Sequence, residues 1–386
     1  MAGERLRAHV LDVSYFSGKL EAYLRWKEIP YERIEVRWDR VQGELRRATG
    51  VAKVPVLRTP DGLWLQDTTP IIDWLEARHP LGAVLPDDPF QAFFCRLLED
   101  WADEWLWRPA LHYRWSFAPD ARLLSHRIAA EAMGHIPLPT AWTAAIVRWR
   151  QFRTCVSGDG VSPETRPHVE RIYLDLLGRL ERLLRERPFL LGERPCLADF
   201  GLFGPCFRHF SLDPTPARLM RDRAPAVYEW VARLWNARAS RVRAGWPEPG
   251  TLPDVWHELL ADVGAGYLPA LHANAVAWRE GRRRHDFTVQ GITYRDVPVV
   301  RYRVWCRERL QDHFDALPDA VKPAVRATLE RAGAWEPLWR DGRIASRLFE
   351  GAPPPVCPPA ARRRSRLRDL IGDDPWNPPP RMEAPR

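Results

Sequence analysis

The chain has 386 residues, of which 45% are hydrophobic and 37 are proline, and its formal net charge is +8. A single core rarely grows past about 250–300 residues, so at least two domains are expected. The sequence contains no run of about 18 apolar residues, which excludes a membrane-spanning helix. Residues Met1–Arg7 are charged rather than apolar, so no signal peptide is expected.

Basic and acidic side chains, 58 and 50 in number, are interleaved along the chain. This pattern is typical of solvated helix faces, so neither nucleic acid nor a membrane is an expected partner, although a mildly basic cleft would suit an anionic small substrate. None of the six cysteines forms a Cys-x-x-Cys pair, which argues against a zinc knuckle, a dithiol motif and a disulfide framework. The predicted compartment is the reducing cytoplasm.

The first eighty residues combine strand and helix signals. Their apolar or alternating stretches predict four strands, Leu6–Val13, Tyr31–Val36, Val54–Thr59 and Leu63–Gln66. A 3–4 apolar spacing predicts a helix over Ser17–Lys27, and a second helix is predicted to begin with Thr69 as its N-cap and Pro70 at its first position. This βαβ–ββα order is that of the α/β thioredoxin-like fold.

After the linker Leu81–Pro89 the strand signals give way to helical ones. Predicted helices cover Phe90–Trp107, parts of 120–152, a long segment opened by Ser162-Pro163, 196–210 and 225–238. Further helical patterns at 254–283 and 298–331 flank a predicted hairpin, Phe287–Tyr294, with its turn at Gln290-Gly291. The expected division is a thioredoxin-like domain at 1–82, an all-helical domain at 88–247, a mainly helical extension at 248–350, and a disordered Pro/Arg-rich tail at 351–386.

Four motifs in this order resemble those of the glutathione S-transferase family. Ser14–Lys19 opens the first helix, Val54-Pro55 falls where thioredoxin-like folds keep a cis-proline, Asp67–Ile72 resembles the Glu/Gln-Ser-x-Ala-Ile motif, and Phe189–Phe200 resembles the second-domain signature. The resemblance covers about residues 5–240 and implies a serine-type active site. Three residues depart from the pattern, Tyr15, Thr68 and Cys196.

The resemblance implies that Ser14 stabilises the thiolate of glutathione, with Ser17 in reserve. A free thiol has a pKa of about 8.5, so a hydroxyl donor and the positive end of a helix would both raise the thiolate fraction. The alternative is that Ser14 only caps the helix.

The resemblance also implies that Val54 and Pro55 bind the cysteinyl unit, that Asp67 and Thr68 bind the γ-glutamyl end, and that Lys53 meets the glycyl carboxylate. Two structural alternatives stay open. The threonines at 68 and 69 could act only as helix caps, and Lys53 could be an ordinary exposed side chain.

A second substrate is expected between the domains, beside Tyr15, Trp107, Tyr113 and Trp115, unless these aromatic side chains belong to the core. No metal site is expected. The acids at 99, 100, 103 and 104 and His112 cannot all face one point on a helix.

The predicted function is a cytoplasmic glutathione-dependent transferase of the detoxification type. It would use glutathione as co-substrate and no metal, and the resemblance implies a homodimer. The alternative from another class is a non-catalytic binding or scaffold protein whose extension is the interaction surface. A glutathione-using isomerase or dehalogenase is a third hypothesis, because fold alone cannot choose among these activities.

Overall fold

The first eighty residues fold around a four-stranded sheet. The computed structural model describes residues 5–349 and 354–357, so the predicted tail at 351–386 lies, apart from 354–357, outside the described residues. The strands are β1 (Leu6–Val10), β2 (Tyr31–Glu35), β3 (Val56–Arg58) and β4 (Trp64–Gln66), in the order β2-β1-β3-β4. Strand β1 runs parallel to β2, and the other pairs are antiparallel. The predicted thioredoxin-like fold is confirmed.

Four helices accompany this sheet, and two begin earlier than predicted. They are α1 (Tyr15–Trp26), α2 (Trp38–Arg40), α3 (Arg46–Thr49) and α4 (Thr68–Glu76), with a π-helical turn at Val41–Leu45 between α2 and α3. Helix α1 begins at Tyr15 because Ser14 supplies the cap. Asp67, with a φ of +78°, turns the chain directly into α4, so Thr69 is a helical residue and not the cap.

The second part is all helical, as predicted. Its helices are α5 (Pro89–Trp105), α6 (Trp107–Ser116), α7 (Ala118–Met133), α8 (Thr140–Gln151), α9 (Arg166–Glu186), α10 (Leu197–Pro205), α11 (Pro214–Arg223) and α12 (Pro225–Asn236), with π-helical turns at Phe152–Val156 and Cys206–Phe210. The long helix begins at Arg166 rather than at Ser162, whose hydroxyl accepts from Glu164 N–H and forms a separate turn. Buried Asp199 accepts from Cys196 N–H (2.9 Å) and so completes the predicted capping box of α10.

The described part of the extension contains five α-helices, a π-helical turn at Val263–Tyr267 and the predicted hairpin. The helices are α13 (Asp254–Asp262), α14 (Leu268–Arg279), α15 (Arg301–Asp315), α16 (Lys322–Arg331) and α17 (Trp335–Trp339). The hairpin lies between α14 and α15 and consists of β5 (Arg284–Val289) and β6 (Ile292–Pro298). The hairpin turns at Gln290 and Gly291, whose positive φ values of 49° and 75° suit a two-residue loop. One buried apolar cluster runs from Leu6 to Leu338, so the extension shares the core of the other two parts. Among the described residues, no helix is long and apolar enough to cross a membrane.

Candidate functional site

The strand register brings three of the predicted motifs to one end of the sheet. His9 of β1 pairs with Val56 of β3, and Val56 pairs with Gln66 of β4. Because neighbouring strands in these pairs are antiparallel, the chain leaves β1 towards Ser14, enters β3 from Val54-Pro55 and leaves β4 at Asp67 on the same side. The pairing of the strands is therefore sufficient to bring all three motifs to the same end of the sheet.

Ser14 lies half-buried at the start of α1. Its hydroxyl oxygen accepts a hydrogen bond from Ser17 N–H (3.3 Å), so Ser14 caps the helix. An accepting hydroxyl keeps its own hydrogen for a second partner, so capping and donation to a thiolate are compatible. Ser17 is fully buried, and its hydroxyl accepts from Leu11 N–H (3.2 Å), which ties the loop before Ser14 to the helix.

Asp67 adopts an unusual backbone conformation at this end of the sheet. Its φ of +78° is unusual for a residue with a side chain, and such backbone strain is concentrated at functional sites. Its Oδ2 accepts from the Tyr302 hydroxyl (2.7 Å). Burial raises the pKa of Asp67, while the Tyr302 hydrogen bond and the charge of Lys19 oppose that rise. Thr68, the first residue of α4, is buried beside it.

The loop before β3 supplies the remaining predicted contacts. The Val54-Pro55 peptide bond is cis. Pro55 is buried, Val54 is half-buried and the Lys53 side chain is exposed. The loop thus presents one partly open edge next to Asp67.

The structure does not gather the four predicted pocket aromatics into an open cleft. Tyr15 is 1% exposed and donates to the Ala102 carbonyl (2.5 Å), because its ring lies between α1, α5 and α10. Tyr113 stacks on Phe117 and is buried, as is Trp115. Trp107 alone is half-buried, and its ring lies 6.0 Å from that of Phe16. Three of the four side chains therefore belong to the core.

A buried ionic network behind the site was not predicted. Lys19 of α1 is fully buried and pairs with Glu99 and with Asp103 (2.5 Å) of α5. Thr69 of α4 donates to Glu99 (2.5 Å), so the network joins three helices. Burial raises the pKa of Asp103. The i, i+4 spacing of the two acids places them on one helix face, but Lys19 lies 80 and 84 residues away from them, so no local pattern in the sequence indicates the contact.

The other two acids of α5 face the extension instead. Tyr267 donates to Asp100 (2.5 Å), and Arg303 lies 3.9 Å from Glu104 and 3.1 Å from Asp159. Burial raises the pKa values of Asp100 and Glu104 to about 7. The acids at 99, 100, 103 and 104 thus point in two directions, each towards its own donor.

The extension also covers one margin of the predicted glutathione site. Arg309 pairs with Asp73 of α4 (2.9 Å), next to the Tyr302–Asp67 contact. Farther along the chain, Cys357 N–H donates to the Trp64 carbonyl (2.9 Å) and Gln66 N–H donates to the Pro355 carbonyl (3.0 Å). Residues 355–357 therefore pair with the outer edge of β4.

The comparisons with known proteins agree with this architecture. The family model described as glutathione S-transferase, N-terminal domain, matches residues 9–83, and that described as glutathione S-transferase, C-terminal domain, matches residues 151–237. Residues 9–83 and 151–237 therefore belong to the N-terminal and C-terminal domain families of the glutathione S-transferases, as the motifs predicted. No curated protein matches the chain.

Three solved structures illustrate the similarity. The beta-etherase LigF from Sphingobium sp. strain SYK-6 is 20% identical over 60% of this chain and 95% of its own, with a TM-score of 0.44. A glutathione S-transferase from Methylobacterium radiotolerans, in complex with glutathione sulfonate, is 24% identical over 65% and 99%, with a TM-score of 0.38. A family member from Pseudomonas fluorescens with two glutathione molecules bound is 16% identical over 60% and 88%, with a TM-score of 0.39.

Proposed function

We propose that the chain is a glutathione transferase that binds its co-substrate at the end of the sheet where β1 and β4 end and β3 begins. The convergence of Ser14, Val54-Pro55 and Asp67 in the strand register carries this proposal. Asp67 would take the γ-glutamyl ammonium, and Thr68 with the N–H groups that open α4 would take its carboxylate. Val54 would bind the cysteinyl unit through its backbone, and Lys53 would meet the glycyl carboxylate.

The proposed chemistry begins with loss of the glutathione thiol proton to solvent. The thiolate is favoured by the Ser14 hydroxyl and by the positive N-terminal end of α1. Its electron pair then forms a bond to the electrophilic carbon of the second substrate, whose leaving group departs with the electrons of the broken bond. Ser17 acts as a positioning residue through Leu11, and Trp107 is the predicted aromatic that remains accessible to the electrophile.

A non-catalytic glutathione-binding protein is the second candidate. Burial of Tyr15, Tyr113 and Trp115 favours it, because these side chains then offer no pocket for an electrophile. For either function we propose a cytoplasmic homodimer. We also propose that the chain divides into a thioredoxin-like domain at 1–82, an all-helical domain at 88–247, an extension at 248–350 and a tail at 351–386. Detoxification of small electrophiles is the role proposed for the catalytic form.

The proposal is tested by titrating the full chain with glutathione in a calorimeter while the ultraviolet absorption of the thiolate is followed at several pH values. Binding with a thiol pKa below about 8.5 would support the transferase and justify a screen of electrophiles. Binding with an unchanged thiol pKa would favour the non-catalytic candidate. Absence of binding at millimolar glutathione would contradict both.

Ser14→Ala is expected to return the pKa of the bound thiol towards its free value of about 8.5, because the variant lacks the donor beside the sulfur. It should also cost about 1 kcal/mol of folding free energy, because α1 loses its cap. Ser14→Gly separates the two effects, since glycine is a better N-cap than alanine and costs only a few tenths of a kcal/mol. An unchanged thiol pKa in both variants would limit Ser14 to capping.

A further inference from the structure

One face of α8 and of the π-helical turn that follows it exposes large apolar side chains to solvent. Trp142, Ile146, Trp149 and Phe152 are 65%, 52%, 57% and 40% exposed, whereas the opposite side of the helix is buried. Together with Arg153, which follows in the π-helical turn, we call these residues the α8 face. A contiguous apolar surface of this kind usually marks an interaction site.

The spacing of the α8 face is self-complementary. Its central line is formed by residues 142, 146, 149 and 153, separated by four, three and four positions as in a coiled-coil seam. This spacing is the same when read in reverse. In an antiparallel pair of α8 helices, Trp142 therefore meets Arg153 of the second copy, and Ile146 meets Trp149.

The charges favour the same arrangement. Between residues 137 and 158 the chain has three arginines and no acidic residue. In a pair of α8 helices in which each residue met the same residue of the second copy, arginine would therefore lie against arginine. The antiparallel register instead places the Arg153 guanidinium over an indole ring, a favourable cation–π contact. Arg153 already lies 5.4 Å from the Trp149 ring, and Arg150 is directed towards Trp38.

The area is also appropriate for a second copy. Each aromatic side chain can bury about 150–250 Å², so the exposed parts of the four apolar residues offer roughly 400 Å² on each copy. Two copies with their flanking residues approach the about 1,200 Å² at which specific interfaces begin. We infer that the α8 face is the contact surface between two copies of this chain, related by a twofold axis across α8. This inference rests on the homodimer proposed above.

Analytical ultracentrifugation of the full chain tests this surface. Wild type is expected to be dimeric at micromolar concentration, and Trp149→Glu should weaken the dimer at least about 100-fold, because both copies then bury a carboxylate. Leu81→Glu, at a site 83% exposed in the linker, is the control and should leave the dimer intact.

Two results would overturn the inference in different ways. A dimeric Trp149→Glu variant would move the interface elsewhere but keep the homodimer. A monomeric wild type would contradict both the interface at the α8 face and the homodimer. Co-sedimentation of monomeric wild type with anionic lipid vesicles, lost in Trp149→Glu, would assign the face to a lipid surface instead.

A different observation concerns the extension. Tyr302 donates to only one oxygen of Asp67, Oδ2, so Oδ1 stays available for a cationic group. Arg309 on the same helix anchors α15 to α4 through Asp73, and residues 355–357 fix the adjoining edge of β4. The Arg309–Asp73 pair therefore holds the helix of Tyr302 against α4, and residues 355–357 cover the neighbouring strand edge.

We propose that Tyr302 is a positioning residue of the glutathione site, which keeps the Asp67 carboxylate oriented and ionised for the γ-glutamyl ammonium. This proposal rests on the proposed function. A buried carboxylate without a donor would rotate and would accept a proton more readily. The hydrogen bond from Tyr302 counteracts both effects from a part of the chain that lies outside the two matched family domains.

Tyr302→Phe is expected to weaken glutathione binding about tenfold at neutral pH, because the Asp67 carboxylate loses its donor. Binding is lost as the pH falls through the pKa of Asp67. Because the Tyr302 hydrogen bond lowers that pKa, its removal should move this acid limb to higher pH. Calorimetry across a pH series measures both quantities, with Tyr228→Phe, at an exposed site, as the control.

The outcomes distinguish the proposed function from the proposed role of Tyr302. If wild type does not bind glutathione, the proposed function fails. If wild type binds and Tyr302→Phe binds with the same affinity and the same acid limb, only the role of Tyr302 is overturned. Tighter binding by Tyr302→Phe would also overturn it, because Tyr302 would then obstruct the site.

Discussion

Replacing Asp67 with alanine is expected to weaken glutathione binding about 100-fold, the largest effect on binding of any change in the site. A carboxylate paired with an ammonium in a partly buried site contributes more than any neutral contact, and its truncation leaves the ligand charge without a partner. Calorimetric titration with glutathione measures the effect. If Asp67→Ala binds as tightly as wild type, the γ-glutamyl end lies elsewhere.

The matched variant is Asp67→Asn, which keeps the shape of the side chain and an oxygen that can accept from Tyr302. It removes only the charge, so it should also bind weakly if the ammonium is the partner. Asp61→Ala, at the exposed turn between β3 and β4, removes a nearby carboxylate outside the site and should leave binding unchanged.

Asp213→Ala is expected to destabilise the chain by about 3–5 kcal/mol, the largest effect on stability. Asp213 is fully buried and accepts two hydrogen bonds from Arg114, at 2.7 and 3.0 Å. The same guanidinium donates to the Val13 carbonyl (2.8 Å), directly before Ser14. Without the carboxylate, the buried Arg114 charge is left with only carbonyl partners.

Denaturant unfolding measures this loss. Asp222→Ala, an exposed acid on the neighbouring α11, is the control and should change stability by less than about 0.5 kcal/mol. An effect of Asp213→Ala no larger than that of the control would show that Arg114 finds another partner. A stable but inactive variant would instead indicate that the pair acts mainly on the loop at Ser14.

Local signals were sufficient for much of the fold. The succession of strands and helices in the first eighty residues followed from alternation and turn residues. The hairpin followed from Gln290-Gly291, because a glycine in a short loop between two alternating segments is typical of a tight turn with positive φ. The capping role of Ser14 was also foreseen, since a serine before an apolar-periodic segment is a local feature. These signals act within a few residues, so one sequence is enough to detect them.

Contacts between distant segments were not foreseen. Tyr302 lies 235 residues from Asp67, and nothing near either residue indicates the other. The aromatic residues assigned to a pocket proved more often to be core, because an aromatic side chain fills a domain interface as well as it lines a cleft. The start of α4 was displaced because the left-handed φ of Asp67 depends on the tertiary structure rather than on residue preference.

The outer edge of β4 has a consequence for synthesis of the chain. Leu65 pairs with Val356, so the strand is made long before the segment that covers it. At about 5–20 residues per second, a nascent chain carries this open edge for roughly 15–60 s. An uncovered strand edge invites pairing with other chains, so the ribosome-bound protein is at its most vulnerable after its first domain has folded.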